Sequence, residues 1–221
     1  MKDIAIILGI RPDVIRASKI LKLLGNSKNL TYDFIWSGQH YSENMKDVFF
    51  EQLNVPKPDV EFEIEKGNDA AIVSSVIKNT YNHLEKNKYK AVIFLGDTNT
   101  VMGSIAVAQH NIPIVHIEGC MRSYDWRMPE EKYRTTIDHL SDRIYAYLDS
   151  YKKQGLQEGI SDQVIKVTGN PIVDIINENK ILFESGDKFL SEEISNLIEN
   201  DNFLLATVHR RENVLEESSL N

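Results

Sequence analysis

The stretch "DIAIILGIRPDVIRASKILKLL", residues 3–24, decides the fold class. Its first part, "DIAIILG", is a continuous apolar run that ends in glycine, which is typical of a strand buried on both faces of a parallel sheet. Pro12 suits the first turn of a helix, and the residues after it keep apolar side chains at helical spacing. The stretch therefore predicts a strand that leads directly into a helix, the repeating unit of an α/β fold.

The same alternation continues along the chain. Six further stretches predict strands: "TYDFIWSG" (31–38), "DVEFEI" (59–64), "AVIFLG" (91–96), "IPIVHIE" (112–118), "RIYAYL" (143–148) and "QVIKVTG" (163–169). Apolar and acidic residues alternate in the second of these, as expected for an edge strand. The pattern as a whole predicts an α/β, Rossmann-like parallel sheet with helices on both faces.

The predicted helices fall between the strands. They are "SENMKDVFFEQL" (42–53), opened by Ser42, and 68–87, 99–110, 130–141, 150–159 and 170–180. Asp97 or Thr98 is expected to cap the third of these. We predict a Rossmann-like domain over residues 1–180. The charged segment 181–202 then forms a connector with one amphipathic helix, and "FLLATVHRREN" (203–213) begins a second domain.

Composition narrows the possible functions. The chain has 221 residues, 42% of them hydrophobic and 26% charged, and a net charge of −8. These are values of a soluble globular protein, and the negative charge argues against nucleic acid as a partner. The single cysteine, Cys120, excludes an intrachain disulfide and fits a reducing compartment. The first apolar run meets a charge within ten residues, too early for a signal peptide or membrane span. We therefore expect a cytoplasmic protein.

Charged residues follow the predicted strands at the edge where α/β proteins bind ligands. Arg11, Asp97, Glu118 and His209 each come directly after a strand, and the carboxyl ends of parallel strands share one edge of the sheet. Taken one at a time, each has a structural explanation, such as a helix cap or a solvated strand end. Together, they predict a crevice in which carboxylates transfer protons and arginines bind an anion.

Two neighbouring features have both structural and functional readings. Arg11 and Arg16 lie near Gly9 and the N-terminus of the first predicted helix. Such an arrangement binds phosphate in some proteins. A glycine in this place often serves only to form the turn at the end of a strand. In "RMPEEKYR" (127–134), Glu130 and Glu131 follow Pro129, which is also a common helix start. Cys120 lacks the neighbours of a metal site, so we interpret it as a packing thiol and predict no metal.

Seven motifs, in this order, resemble those of the non-hydrolysing UDP-N-acetylglucosamine 2-epimerases. They are "GIRPDVIR" (9–16), "SGQH" (37–40), "GDTNT" (96–100), "HIEGCMRS" (116–123), "RMPEEKYR" (127–134), "VTGNPIVD" (167–174) and "HRREN" (209–213). The resemblance implies the N-terminal domain of a two-domain GT-B enzyme. It implies inversion of C2 of a UDP-acetamido sugar without a cofactor, by elimination and re-addition of UDP. It also implies a homodimer.

The resemblance implies roles for individual residues. Proton transfer falls to three carboxylates, Asp97, Glu118 and Glu130. Arg11 and His209 stabilise the diphosphate or the leaving oxygen. Substrate binding extends to Arg16 and Arg122, the latter orienting carboxylates or phosphate.

Several positions depart from the family pattern. Arg16 stands where lysine is usual, and "EGCMR" (118–122) replaces the usual "EAGLR". Gln39 and His40 match a region where bacterial members bind a second, activating UDP-sugar, but Ser42 stands in place of a longer side chain there. A second Rossmann-like domain would need about 100–150 further residues. We therefore expect weak or no turnover by these 221 residues alone.

Three other functions fit the same residues. A hydrolysing epimerase would release UDP and free N-acetylmannosamine, and a GT-B glycosyltransferase would need an acceptor and leave C2 unexchanged. A non-catalytic nucleotide-sugar-binding module would bind without chemistry. A dehydrogenase is disfavoured because the first turn lacks the GxGxxG glycines of dinucleotide-binding folds.

Overall fold

The computed structural model describes residues 1–38, 50–51, 53–65, 67–181, 190–200, 204 and 206–207. The chain divides into two compact units, Met1–Glu178 and Asn179–Asn221. In the second unit, the described structure is the helix Glu192–Asn200, which agrees with the amphipathic helix predicted in the connector. The start of a second domain at "FLLATVHRREN" stays a prediction, because most of that stretch lies outside the described residues.

The first unit is built on a seven-stranded parallel sheet, which confirms the predicted fold class. The strands are β1 (Lys2–Leu8), β2 (Tyr32–Trp36), β3 (Val60–Glu61), β4 (Tyr89–Leu95), β5 (Ile114–Ile117), β6 (Arg143–Ala146) and β7 (Ile165–Val167). Their spatial order is β3-β2-β1-β4-β5-β6-β7. The order reverses between β1 and β4, and Rossmann-like folds bind their ligands beside that point.

Seven α-helices are described, six of them in the first unit. They are α1 (Arg11–Gly25), α2 (Asp69–Lys86), α3 (Ser104–Gln109), α4 (Pro129–Leu140), α5 (Asp149–Gln157), α6 (Pro171–Glu178) and α7 (Glu192–Asn200), and a 3₁₀ turn, Asn99–Gly103, precedes α3. No helix among the described residues combines the length and apolarity that crossing a bilayer requires.

Successive side chains of each strand point to opposite faces of the sheet, and helices pack on both faces, so both sets of side chains are buried. On one face, Ile6 and Leu8 of β1 pack with Val14 and Leu21 of α1. On the other, Ala5 and Ile7 belong to a cluster with residues of α2, α3 and α4. The continuous apolar run at 4–8 therefore reflects two buried faces, as the sequence indicates.

Three predictions of local structure need correction or lie outside the described residues. The predicted strand 59–64 is regular only at Val60–Glu61, although it is an edge strand as expected. Thr98 precedes the 3₁₀ turn, but its side chain makes no capping hydrogen bond, and its hydroxyl is buried without a partner among the described residues. Most of the predicted helix 42–53 falls outside the described part of the chain.

Candidate active site

The turn between β1 and α1 brings three strand ends together. Gly9 lies so close to the chains that follow β2 and β4 that a Cβ atom there would come within 1.8 Å of Thr100 Oγ1 and 2.6 Å of Ser37 Oγ. Those two hydroxyls form a buried hydrogen bond of 2.8 Å. A glycine is therefore required at this position for backbone approach, and the sheet edge beside the switch point is tightly packed.

A buried carboxylate, Asp13, organises the first turn of α1. Its Oδ2 accepts hydrogen bonds from the backbone amides of Gly9 (3.2 Å) and Ile10 (3.1 Å), and its Oδ1 accepts one from Arg16 (2.9 Å). Burial raises the pKa of Asp13 to about 6, although Arg16 and the two amides oppose the rise. All three partners are donors, so the carboxylate is ionised at neutral pH.

Arg16 connects this turn to the end of β5. Its guanidinium is paired with Glu118 as well as with Asp13, and both pairs lie over Gly96, where a Cβ atom would be 2.9 Å from Arg16 Nη2. Gly96 has a φ of 81°, a left-handed conformation that favours glycine. Arg16 and Glu118 thus lie in the same strand-end crevice, but the sequence analysis did not predict their pairing, nor did it single out Asp13, which holds the guanidinium from the other side.

The environment of Glu118 suits a carboxyl that exchanges protons. Burial raises the pKa of Glu118, and the negative charges of Asp97 and Asp13 raise it further, while Arg16 and His116 lower it. Glu118 has a φ of 77° immediately after β5, and its carboxylate pairs with Arg16 at the strand-end edge. Burial and like charges are the usual means by which enzymes raise the pKa of a carboxyl toward that of a general acid or base.

Asp97 is held by an arginine of helix α4. Arg134 donates a hydrogen bond to Asp97 and also pairs with Glu131 at 3.3 Å. The Nε atom of Arg134 is buried and has no partner among the described residues. Asp97 lies close enough to Glu118 for its negative charge to add to the effect of burial in raising the pKa of Glu118. Each carboxylate is paired with an arginine, Asp97 with Arg134 and Glu118 with Arg16.

The loop between β5 and α4 is anchored by Glu131 rather than by Glu130. Glu131 is buried and accepts hydrogen bonds from the Ser123 amide (3.1 Å), the Ser123 hydroxyl (2.9 Å) and the Tyr124 amide (2.8 Å). Burial alone would raise the pKa of Glu131, but these hydrogen bonds and Arg134 lower it below its usual range. Glu131 therefore acts as an ionised anchor of the loop.

Arg122 is buried, and its guanidinium is engaged within the protein. It forms a two-point pair with Glu158 (2.8 and 2.6 Å) and donates a bond of 2.7 Å to Asp138. A further bond of 2.8 Å reaches the carbonyl of Met121. The sequence analysis expected Arg122 to bind substrate or to orient carboxylates or phosphate. Its hydrogen bonds to Glu158, Asp138 and the loop fit the orientation of carboxylates better than a contact with phosphate.

The remaining predicted site residues are Glu130, Arg11, Gln39, His40 and His209. Glu130 is half-buried in the first turn of α4, and its charge raises the pKa of nearby Tyr133, for which burial is the larger cause. Arg11 is the first residue of α1 and is also half-buried. Gln39, His40 and His209 lie outside the described residues, so their roles stay predictions. No group of three or more His, Cys, Asp or Glu side chains suited to a metal occurs among the described residues.

Three residues at the crevice were missed by the sequence analysis. Asp13 shows the pattern of an acid in the first turn of a helix, and Arg134 lies three residues after Glu131 on one helix face. Tyr147 follows β6 at the same sheet edge, which the strand-end rule predicts. Its hydroxyl is buried near Arg16 and Glu118 and makes no well-formed hydrogen bond to a described residue. Burial is the main cause that raises the pKa of Tyr147, and the negative charge of Glu118 adds to it.

Comparison with known proteins identifies the family of the chain. The family model described as UDP-N-acetylglucosamine 2-epimerase matches residues 22–221. The chain is 39% identical over 214 residues to UDP-N-acetylglucosamine 2-epimerase of Methanococcus maripaludis, covering 96% of this chain and 57% of that protein. It is 32% identical over 214 residues to UDP-2,3-diacetamido-2,3-dideoxy-D-glucuronate 2-epimerase of Pseudomonas aeruginosa, covering 94% of this chain and 57% of that one.

A solved structure shares the fold over nearly the whole chain. The crystal structure of Methanocaldococcus jannaschii UDP-GlcNAc 2-epimerase, in complex with UDP-GlcNAc and UDP, superposes with a TM-score of 0.86 at 35% identity, covering 99% of this chain and 59% of that one. The chain therefore spans a little over half the length of the relatives it matches. On the family match and the relatives together, the chain belongs to the UDP-N-acetylglucosamine 2-epimerase family.

Proposed function

We propose that the protein carrying this chain interconverts UDP-N-acetylglucosamine and UDP-N-acetylmannosamine, or a related pair of UDP-acetamido sugars, by inverting C2. The observation that carries the proposal is the meeting of Asp97, Glu118 and Arg16 at the carboxyl edge of the sheet, beside the switch point. Such an edge is where nucleotide-binding α/β folds hold their ligands.

The reaction proposed is an elimination followed by an addition. A carboxylate takes the C2 proton, the bond from C1 to the diphosphate oxygen breaks, and UDP departs to leave 2-acetamidoglucal. A proton then reaches C2 from the opposite face, and UDP adds back at C1. Asp97, Glu118 and Glu130 divide the proton transfers, and the raised pKa of Glu118 suits it to release as well as accept a proton.

The basic groups stabilise the charge that develops on the leaving UDP. Arg11, in the first turn of α1, is proposed to contact the diphosphate, with His209 in the same role by resemblance. Arg16 stands where it can bind either Glu118 or a phosphate oxygen. We propose that Arg122 acts indirectly, because its hydrogen bonds to Glu158 and Asp138 orient the loop that follows Glu118.

The Pseudomonas aeruginosa relative supports a second substrate of the same class. Its name specifies a UDP-diacetamido glucuronate, and its identity to this chain is 32% against 39% for the Methanococcus maripaludis relative. We rank UDP-N-acetylglucosamine first on that difference. A homodimer and function without a cofactor are parts of the proposal that rest on resemblance, and a cytoplasmic location rests on the single cysteine, which fits a reducing compartment.

Proton NMR in D₂O tests the reaction. Because the chain spans 57% of the Methanococcus maripaludis relative, the assay uses a fusion of this chain to the remaining part of that relative. We expect deuterium to enter C2 while UDP-N-acetylmannosamine forms. UDP with free N-acetylmannosamine would indicate a hydrolysing epimerase instead. A folded fusion that binds UDP but exchanges no C2 proton in either candidate substrate would refute the proposal.

One variant separates chemistry from binding. Glu118→Gln removes a proton-transfer group and should lower kcat by about 10²–10⁴-fold while UDP binding persists. Glu85→Gln serves as the matched control, because Glu85 lies on α2 and its side chain is 56% exposed. Equal activity of the two variants would exclude Glu118 from the chemistry.

A further inference from the structure

A cluster of four charged residues, three of them buried and Glu158 partly exposed, lies next to the candidate active site. His116 of β5 is fully buried, and its Nδ1 is 2.7 Å from Asp138 Oδ1 of α4. Asp138 Oδ2 accepts from Arg122 at 2.7 Å, and Arg122 in turn binds Glu158 with two hydrogen bonds. The two cations and two anions balance, which is the condition under which charges are tolerated in an interior.

The hydrogen bonds define the protonation state of His116. Its Nε2 is 2.8 Å from the carbonyl oxygen of Gly96, which can only accept, so Nε2 carries a proton. Asp138 is ionised because it also accepts from Arg122 and from the Cys120 amide, so Nδ1 donates as well. His116 is therefore an imidazolium. Burial opposes the charge, yet the bond to Asp138 raises the pKa of His116 above its usual value.

The same ring bridges the two turns that carry the proposed proton-transfer groups. Gly96, bonded to Nε2, is the residue before Asp97. On the other side, Asp138 accepts the amide of Cys120 (2.9 Å), two residues after Glu118. Both Glu118 and Cys120 have positive φ, 77° and 64°, which are costly conformations for residues other than glycine. The cluster thus holds a strained turn in place.

Gly119 shows how closely the pair is packed. A Cβ atom at this position would lie 2.6 Å from Asp138 Oδ1 and 3.0 Å from His116 Nδ1, and 2.4 Å from Ile144 Cγ2. The backbone of the turn therefore sits directly on the ion pair, with space for no side chain between them. We therefore expect a change in the pair to displace the turn that presents Glu118.

We propose that His116 and Asp138 are positioning residues for the epimerase reaction, holding the Asp97 turn and the Glu118 turn at a set separation from beneath. The inference rests on the proposed function, because it takes those two carboxyls as the proton-transfer groups. Around His116, the charged groups of the described residues are Asp138, Glu118 and, through Asp138, Arg122.

The first test uses Asp138→Asn in the fusion protein. Asparagine keeps the size of the side chain but cannot accept from His116, Arg122 and the Cys120 amide together. Displacing reacting groups by about 1 Å costs on the order of 10²-fold in rate, so we expect kcat to fall about 10–100-fold with KM within about threefold. Asp149→Asn, at an exposed position at the start of α5, is the matched control.

A second readout does not depend on activity. In the 221-residue chain, ¹⁵N NMR should show both ring nitrogens of His116 protonated at pH 7 in the wild type and one of them deprotonated in Asp138→Asn. The ¹³C carboxyl resonances of Asp97 and Glu118 should shift in that variant and in Gly119→Ala, and stay in place in Asp149→Asn.

The outcomes are separable. A neutral His116 in the wild type, or unmoved carboxyl resonances in Asp138→Asn, overturns the positioning role whatever the activity. If these NMR changes occur but the wild-type fusion shows no epimerisation, the proposed function fails while the link between the pair and the two turns stands. Unchanged kcat in a folded Asp138→Asn variant of an active fusion also overturns the proposal.

Discussion

Removing the guanidinium of Arg16 is the most informative perturbation of the crevice. The side chain of Asp13 is fully buried and that of Glu118 is 13% exposed, and Arg16 is ion-paired with both. In Arg16→Met, the apolar stem remains while two carboxylates face one another without a cation. Breaking a buried ion pair in this way costs about 3–5 kcal/mol.

The expected loss can be converted into a denaturant shift. With a urea m-value of about 2 kcal/mol/M, 3–5 kcal/mol lowers the unfolding midpoint by about 2 M at pH 7.5. Fluorescence reports this unit alone, because the two tryptophans of the sequence, Trp36 and Trp126, both lie within Met1–Glu178. Trp36 is buried in the core, so its emission follows loss of packing around the sheet.

Lowering the pH should remove most of the difference between variant and wild type. The pKa of Asp13 is about 6 in the folded protein and 3.8 in the reference state, so protonation favours folding as pH falls through 6. Arg16 opposes that rise, and so the pKa is higher still in Arg16→Met. At pH 5 the carboxyl of Asp13 in the variant is therefore mostly neutral, so the repulsion between the two carboxylates is largely relieved, and about 1 kcal/mol of lost hydrogen bonding remains.

Lys19→Met provides the control on the same helix. Lys19 pairs with Asp174 (3.3 Å) and Glu178 (2.9 Å), but these groups are exposed, so the loss should be much smaller than that of Arg16→Met at pH 7.5 and should change little between the two pH values. An equal midpoint loss for Arg16→Met at pH 5 and pH 7.5 would refute the electrostatic reasoning. So would an Arg16→Met variant as stable as Lys19→Met at pH 7.5.

Two further predictions concern the loop after β5. Glu131→Gln should destabilise the first unit by about 1–3 kcal/mol at pH 7, because a neutral amide oxygen replaces the charged acceptor of the bonds from Ser123 and Tyr124. The loss should shrink as pH falls through the lowered pKa of Glu131. Urea unfolding followed by fluorescence at pH 7 and pH 4 measures both effects. Cys120 is buried and its pKa is raised to about 12, chiefly by burial, so iodoacetamide at pH 8 should label the folded chain far more slowly than the urea-unfolded chain, and equal rates would contradict the burial.

Local patterns were sufficient to predict most of the framework. Buried parallel strands read as apolar runs, and the short polar stretch after each run placed Asp97 and Glu118 at one edge. That inference needs only the direction of the strands. The separate prediction that Asp97 or Thr98 caps the next helix fails for Thr98, whose hydroxyl is buried without a hydrogen bond to any described residue. Whether a side chain reaches a backbone amide depends on the packing around it.

The pairing of charges could not be read from the sequence in the same way. Arg16 and Glu118 are 102 residues apart, and Arg122 and Glu158 are 36 apart, so neither partnership leaves a trace in local spacing. Arg122 illustrates the consequence. Its motif suggested a substrate contact, whereas its donors are engaged by Glu158, Asp138 and the Met121 carbonyl.

The sequence by itself determined the α/β class, the sheet edge at which the candidate site lies, and the resemblance to an epimerase family, because each depends on short-range periodicity or on ordered motifs. Only the tertiary structure decided which carboxylate meets which guanidinium, why Gly9 and Gly96 are needed, and that His116 bridges two turns from below. Those features arise where strands distant in sequence converge, and the energy of a buried charge depends on the neighbours that convergence supplies.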